Sequence, residues 1–261
     1  MPRAPGGASP AERWVLRPAA PRPGSRLRLV CVPYAGGGAA VFHGWADRLP
    51  AVVEPWVLRL PGREARFAEP PATDLVRAAA EAAEALAPIL HDMPFAFFGH
   101  SLGGFVAFET VRSLAERWGL DASLLVVSAR NAPHLRGHVG TVHQLSDEDF
   151  LAALDLRYRA IPPAIREDAG LLAVYLPLLR GDVRLLETYR YRAGRRLRCP
   201  VVALGGAEDP EMSLESLSSW GELTDGGASS SLLPGGHFFL QSHRGPLFDE
   251  LAPLLLRTLA P

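Results

Sequence analysis

The sequence contains no lysine: all 27 of its basic residues are arginine. Set against 28 acidic residues, they leave a formal net charge of −1. A chain so balanced lacks the basic face that a nucleic-acid binder needs. The arginines, with abundant Ala, Pro and Gly, read as compositional bias rather than as a binding surface. Cysteine is scarce too. Cys31 lies in an apolar run and Cys199 opens another, so the pair reads as buried thiols and not as a disulfide. No apolar run reaches the ~18 residues of a membrane span. The first 25 residues lack the apolar core of a secretory signal and have no periodicity, so they are expected to form a flexible tail. No Cys/His cluster has zinc spacing, and no nucleotide-binding glycine fingerprint opens a strand–helix unit. These absences leave a cytoplasmic protein without metal or cofactor as the expectation, with a monomer as the default state. The 261 residues, 48% of them hydrophobic, suffice for one large domain with a full core.

What is present centres on residues 95–111. Phe95 to Phe98 is an apolar run with the character of a buried strand, and an apolar helix pattern begins at Leu102. Between them stands Gly99-His100-Ser101-Leu102-Gly103, which is G-x-S-x-G in the strand–turn–helix setting of a nucleophile elbow. The pentapeptide alone is expected by chance in about one chain of this length in ten. Its setting is what carries meaning. The glycines let strand and helix approach, and the helix N-terminus offers free N–H groups to an oxyanion. The plainer alternative is a tight turn in which Ser101 only caps the helix.

Strand patterns at Leu27–Val32, Trp56–Leu60, Phe95–Phe98 and Ser123–Ser128 alternate with helix patterns at Val41–Leu49, Thr73–Leu90 and Leu102 to about Trp118. That alternation predicts an α/β fold with a mostly parallel sheet flanked by helices and a site at the carboxyl ends of the strands. The glycine run Ala35 to Gly38, after the first strand, is suited to an oxyanion loop. Its donor is assigned to Ala35, within one residue either way, alongside the N–H of Leu102. From Ser146 to about Arg192 the alternation stops. Helix patterns at Phe150–Tyr158, Pro163–Leu179 and Val183–Tyr191 are separated by Pro162-Pro163, Pro177 and Gly181-Asp182. Apolar residues there, among them Leu154, Ile161, Leu171, Leu172 and Tyr175, suggest a helical lid over residues 144–192. His134, His138 and His143 read as loop histidines rather than as metal ligands, since no carboxylate or Cys is interleaved.

The sheet pattern resumes at Pro200–Leu204 and Ser229–Leu233. Asp209, with Glu208 as the alternative, follows the first of these strands, and His237 follows the second after a Gly-Gly turn. Ser101, Asp209 and His237 thus appear in the chain order of α/β-hydrolases, each just beyond a strand. A hydroxyl needs a base to become a nucleophile. His237 would take its proton, and Asp209 would orient the imidazole.

Several stretches resemble type II thioesterases, the stand-alone editing enzymes that accompany polyketide synthases and nonribosomal peptide synthetases. They are Pro33-Tyr34-Ala35-Gly36-Gly37, Phe42-x-x-Trp45, Leu60-Pro61-Gly62-Arg63-Glu64-x-Arg66, Phe98-Gly99-His100-Ser101-Leu102-Gly103, Glu187-Thr188-Tyr189-x-Tyr191 and Gly235-Gly236-His237-Phe238-Phe239. The resemblance runs from about residue 26 to the C-terminus. It implies an α/β-hydrolase domain with a helical lid over 144–192. It also implies hydrolysis of acyl or aminoacyl thioesters on the phosphopantetheine arm of carrier proteins, its transient partners. Ser101, His237 and Asp209 become the triad, and Ala35 with Leu102 the oxyanion hole. Tyr34, Phe42, Trp45, His100 and Phe238 are assigned to the substrate pocket. The chain departs from the family where a Leu-Gly-Gly-Thr-Pro-like turn is common, having Leu156-Arg157-Tyr158-Arg159-Ala160-Ile161-Pro162 instead. It also carries Leu102-Gly103-Gly104 where Met-Gly-Ala is usual. A carboxylesterase or lipase acting on oxygen esters, an excised cyclising thioesterase domain and a non-enzymatic interaction module remain the alternatives.

Overall fold

The computed structural model describes residues 9–135, 140–158 and 163–259. Its elements, in chain order, are α1 (Pro10–Trp14), β1 (Val15–Leu16), β2 (Leu27–Val32), α2 (Trp45–Arg48), β3 (Val53–Leu58), α3 (Leu75–Leu90), β4 (Phe95–His100), α4 (Leu102–Trp118), β5 (Leu124–Ser128), α5 (Asp147–Tyr158), α6 (Pro163–Glu167), α7 (Ala169–Thr188), β6 (Val201–Gly206), α8 (Leu214–Ser218), β7 (Ala228–Leu233), α9 (Phe239–Ser242) and α10 (Arg244–Arg257). Among the described residues the strands form one sheet in the order β1-β3-β2-β4-β5-β6-β7. All neighbours are parallel except β1, which runs antiparallel to β3.

The central strands β4, β5 and β6 are buried on both faces, as a sheet covered by helices requires, whereas the edge strand β7 is largely exposed. Val30, Val32 and Phe97 point into one core with α3 and α4, whereas Leu29, Cys31, Ala96 and Phe98 point into the other with Phe42, Trp45 and α10. Strand order reverses around β2 and β4, because β3 lies on one side of β2 and β4 on the other. Parallel registers such as Val32↔Gly99, His100↔Ser128 and Ser128↔Leu204 bring the carboxyl ends of the central strands level. The crevice at such a reversal is where ligands of open α/β sheets bind.

Several expectations change. The flexible tail does not extend through residue 25. Ser9 and Glu12 cap α1 reciprocally, Trp14 and Val15 are buried, and β1 pairs with Val57 and Leu58. The guanidinium of Arg66 also lies 4.0 Å from the Trp14 ring centre. The apolar Trp14-Val15-Leu16 run covers what would otherwise be an open sheet edge. The expected helix at Val41–Leu49 is two pieces, a 3₁₀ turn at Ala39–Phe42 and α2, separated by Gly44 at a left-handed φ of 75°. In the insertion between β5 and β6, Pro177 and Gly181 lie inside the single helix α7 and do not end it. Phe150, Leu154, Leu176, Leu179 and Val183 give this insertion a small core of its own, and Ala35 and Tyr175 pack against it. Leu171 is exposed instead, and Leu172 half-buried. Residues 159–162, including Ile161, lie outside the described residues.

Candidate active site

Ser101 closes the turn from β4 to α4 at φ 54° and ψ −116°, a region that side-chain-bearing residues rarely occupy. Packing makes that turn possible. A Cβ on Gly99 would collide with the Gly103 backbone, and one on Gly103 with the carbonyl of Val32. The Ser101 side chain makes no capping hydrogen bond to α4, so the plain capping role does not apply. Its Oγ lies 3.0 Å from Nε2 of His237 instead. His237 Nδ1 is 2.7 Å from Oδ2 of Asp209, and Asp209 Oδ1 accepts from the Glu211 N–H at 3.1 Å. The alternative acid, Glu208, is exposed.

Asp209 and His237 stay in place because their loops are tied to each other. The Ala207 N–H donates to Leu233 and the Glu208 N–H to Gly235. Burial pushes the His237 imidazole below its ordinary value, although the hydrogen bond to Asp209 opposes that. Burial would raise the Asp209 carboxyl, but the hydrogen bond and charge of His237 outweigh it and hold the group below the usual carboxylate value. Around neutral pH the arrangement is therefore a carboxylate, a neutral imidazole and a hydroxyl in one hydrogen-bonded line, which can take a proton from Oγ and return it.

The line opens into a cavity of about 590 Å³, lined among others by Tyr34, Ala35, Phe105, Leu154, Tyr158 and Phe238. Tyr34 and Phe238 meet edge-on with ring centres 4.9 Å apart. Of the other residues assigned to the substrate pocket, His100 is fully buried behind Ser101, with Nδ1 2.8 Å from the Ser128 hydroxyl. Burial pushes its imidazole well below the ordinary value. Phe42 and Trp45 are not in the cavity. They pack edge-on against each other and Phe98 in the core on one sheet face, Phe42 from the end of the 3₁₀ turn and Trp45 from the start of α2. Leu102 is the first residue of α4, where an N–H has no intrahelical acceptor.

Two motifs acquire physical roles. Arg63 and Asp182 form a buried ion pair of 2.7 Å between the loop after β3 and helix α7. Arg63 also donates to the Gly37 carbonyl at 2.6 Å, and Asp182 accepts from the Gly36 N–H at 2.7 Å. Glu64 accepts from the Ala39 N–H at 2.6 Å. The pair thus clamps the glycine loop beside Ala35 to the insertion. At the far end of α7, Glu187 accepts the N–H groups of Val142 and His143, each at 3.0 Å. Tyr189 donates to the buried Glu109 at 2.6 Å. His143 therefore serves Glu187, whereas His134 lies 3.3 Å from Glu222. His138 lies outside the described residues.

Sequence reasoning missed Arg130, whose Nη2 lies 2.7 Å from Ser101 Oγ. It also missed Tyr158 and Glu211. The Tyr158 ring centre is 4.4 Å from that of His237, and its hydroxyl donates to Glu211 at 3.0 Å. An arginine two residues beyond the end of β5 was the available signal, but a strand-end arginine usually reads as solvated.

The profile of the thioesterase domain family matches residues 27–255. The chain is 35% identical to the gramicidin S biosynthesis protein GrsT of Aneurinibacillus migulanus, over 91% of this chain and 92% of that one. It is 38% identical to the thioesterase PikA5 of Streptomyces venezuelae, over 94% and 86%. Its fold is similar to that of the type II thioesterase BorB from the borrelidin biosynthetic cluster, with TM-score 0.82 and 37% identity over 95% of this chain and 99% of that one.

Proposed function

We propose that this protein, which belongs to the thioesterase domain family, releases acyl or aminoacyl groups from the phosphopantetheine arms of carrier proteins in a polyketide or nonribosomal peptide pathway. It clears stalled or misprimed intermediates by hydrolysis. The relatives named in such pathways support the pathway, and one observation carries the mechanism: the continuous line Ser101–His237–Asp209 at the floor of a cavity roofed by the helical insertion.

In this reading Ser101 Oγ attacks the thioester carbonyl while His237 Nε2 takes its proton. The N–H groups of Leu102 and Ala35 hold the tetrahedral oxyanion, and losing one such donor typically costs about 10²–10³ in rate. The thiol of the carrier arm departs with the proton from His237. A water molecule, activated by the same imidazole, then cleaves the acyl-serine. Asp209 keeps Nδ1 protonated throughout, so that Nε2 remains the base. Tyr34 and Phe238 bound the acyl site, and α5 to α7 act as a lid over it.

The test compares one acyl group in two settings, a propionyl carrier protein and a propionyl oxygen ester, with deacylation followed by intact-protein mass spectrometry. Release from the carrier that outpaces ester cleavage and vanishes in Ser101→Ala supports the proposal. Rapid ester cleavage with the loaded carrier untouched would assign the site to an esterase.

A further inference from the structure

Arg130 is the unexplained group of the site. It is buried, and it forms no ion pair with a carboxylate among the described residues. Its Nε has no hydrogen-bond partner. A buried guanidinium without an ion-pair partner is costly, and this one lines the cavity beside Ser101. The backbone is built to deliver it. Ala129, just before it, adopts a φ of 50°, a strained value for a side-chain-bearing residue. The Ala129 N–H is held by the Leu204 carbonyl at 2.7 Å, and the Arg130 carbonyl accepts from the Trp220 indole at 2.8 Å. The guanidinium then lies 5.4 Å from the Phe105 ring centre and ends 2.7 Å from Ser101 Oγ.

We propose that Arg130 is a further catalytic residue, whose guanidinium occupies one lone pair of the Ser101 hydroxyl and so leaves the hydroxyl proton a single acceptor, His237 Nε2. The inference rests on the reading of Ser101, His237 and Asp209 as a triad. A guanidinium has donors only, so Ser101 cannot donate to it. With that side of Oγ filled, the proton turns to His237, whose other nitrogen donates to Asp209. The hydroxyl rotor and the imidazole tautomer are both fixed before substrate arrives, and the second lone pair of Oγ is left for the carbonyl carbon. On acylation Oγ becomes an ester oxygen, a weaker acceptor, and on deacylation the contact forms again.

The charge of Arg130 has a second effect. The groups facing His237 are Asp209 and Glu211 after β6, Tyr158 on α5, His100 at the end of β4, Ser101, and Arg130 after β5. Burial is the main cause of the low proton affinity of His237, and the positive charge of Arg130 adds to it, against the hydrogen bond and charge of Asp209 and the charge of Glu211. Removing that charge raises the proton affinity. More imidazole is then protonated at a given pH, and the ascending limb of the rate profile moves to higher pH.

The experiment measures kcat and KM for propionyl-N-acetylcysteamine from pH 5 to 9 in the wild type, Arg130→Met, Arg130→Lys and Ser101→Ala. Arg130→Met should lower kcat at pH 7 by about 10²-fold with little change in KM, and shift the ascending limb upward. Arg130→Lys should return the limb to its wild-type position and recover part of kcat. If Arg130→Met does not fold, Arg130→Gln carries the same comparison, since it drops the charge and keeps a polar end. Neutral variants with the wild-type kcat and limb overturn the proposal. So does a lowered kcat with an unmoved limb that Lys does not rescue, which would make Arg130 a packing residue. Activity persisting in Ser101→Ala would instead overturn the triad reading itself.

Discussion

Ser101 holds a strained backbone because β4, α4 and the neighbouring loop leave no room for a relaxed turn, and the strain lifts its hydroxyl toward His237. The role proposed for Asp209 is sharper than its charge alone. Asp209→Asn would present an amide N–H to Nδ1 and push the imidazole proton to Nε2, leaving no base for Oγ. The expected result is a fall in kcat of about 10⁴ with an unchanged melting temperature, read by steady-state hydrolysis. A loss under tenfold would remove Asp209 from the mechanism. At this scale the sequence was legible where a polar side chain follows a strand end: Ser101, Asp209 and His237 each do so, and they meet in one hydrogen-bonded line. It was illegible where chemistry depends on which way a side chain turns. Phe42 and Trp45 sit near the glycine loop in sequence but under the sheet in space. His100 adjoins Ser101 yet faces Ser128. Arg130 reaches Ser101 Oγ from a backbone with an unusual φ at Ala129, which sequence does not announce.

At the level of elements, the insertion and the sheet are joined by buried charge. Asp182→Ala would leave Arg63 buried without its anion and free the Gly36 N–H. Breaking such a pair typically costs about 3–5 kcal/mol. We expect a lower denaturation midpoint at constant slope, and a loss in kcat because the glycine loop beside Ala35 loosens. A midpoint equal to wild type would show that the clamp carries no stability. The N-terminal run makes a second prediction. Trp14→Ala should cost about 3 kcal/mol, since it removes a buried indole and its guanidinium contact. A cost within about 0.5 kcal/mol, as for a surface position, would restore the tail reading. Residues 10–16 were hard to read because a two-residue strand has no periodicity to detect. β3 was read from Trp56 rather than Val53 because Pro55 resembles a strand breaker. The structure tolerates Pro55 because β1 pairs with β3 only at Val57 and Leu58. Pro177 likewise resembles a helix break but sits within α7.

For the whole molecule, the alternation of strands and helices was enough to give a parallel α/β sheet, because β4, β5 and β6 are almost wholly apolar and Arg28 alone interrupts the apolar run of β2. The buried site also ties stability to pH. His100 and His237 are both held neutral by burial, so the unfolded chain binds their protons more readily than the folded one. Stability should therefore be full above about pH 6.5 and fall as pH drops below it, by up to about 1.4 kcal/mol per unit for each group. Glu109, raised by burial, pulls the opposite way at the acid end. Thermal melts between pH 8 and 5.5 read this directly, and a melting temperature that rises on acidification would contradict it.

In the proposed reaction Ser101 carries the acyl group between thioester and water. The most direct measurement mixes the enzyme with a propionyl carrier protein, quenches in acid within milliseconds to seconds, and maps the peptides by mass spectrometry. A transient propionyl increment is expected on the peptide containing Ser101, absent in Ser101→Ala and longer-lived in a His237→Gln variant acylated with an activated ester. Hydrolysis that proceeds with the adduct on another residue, or at full rate in Ser101→Ala, would contradict it.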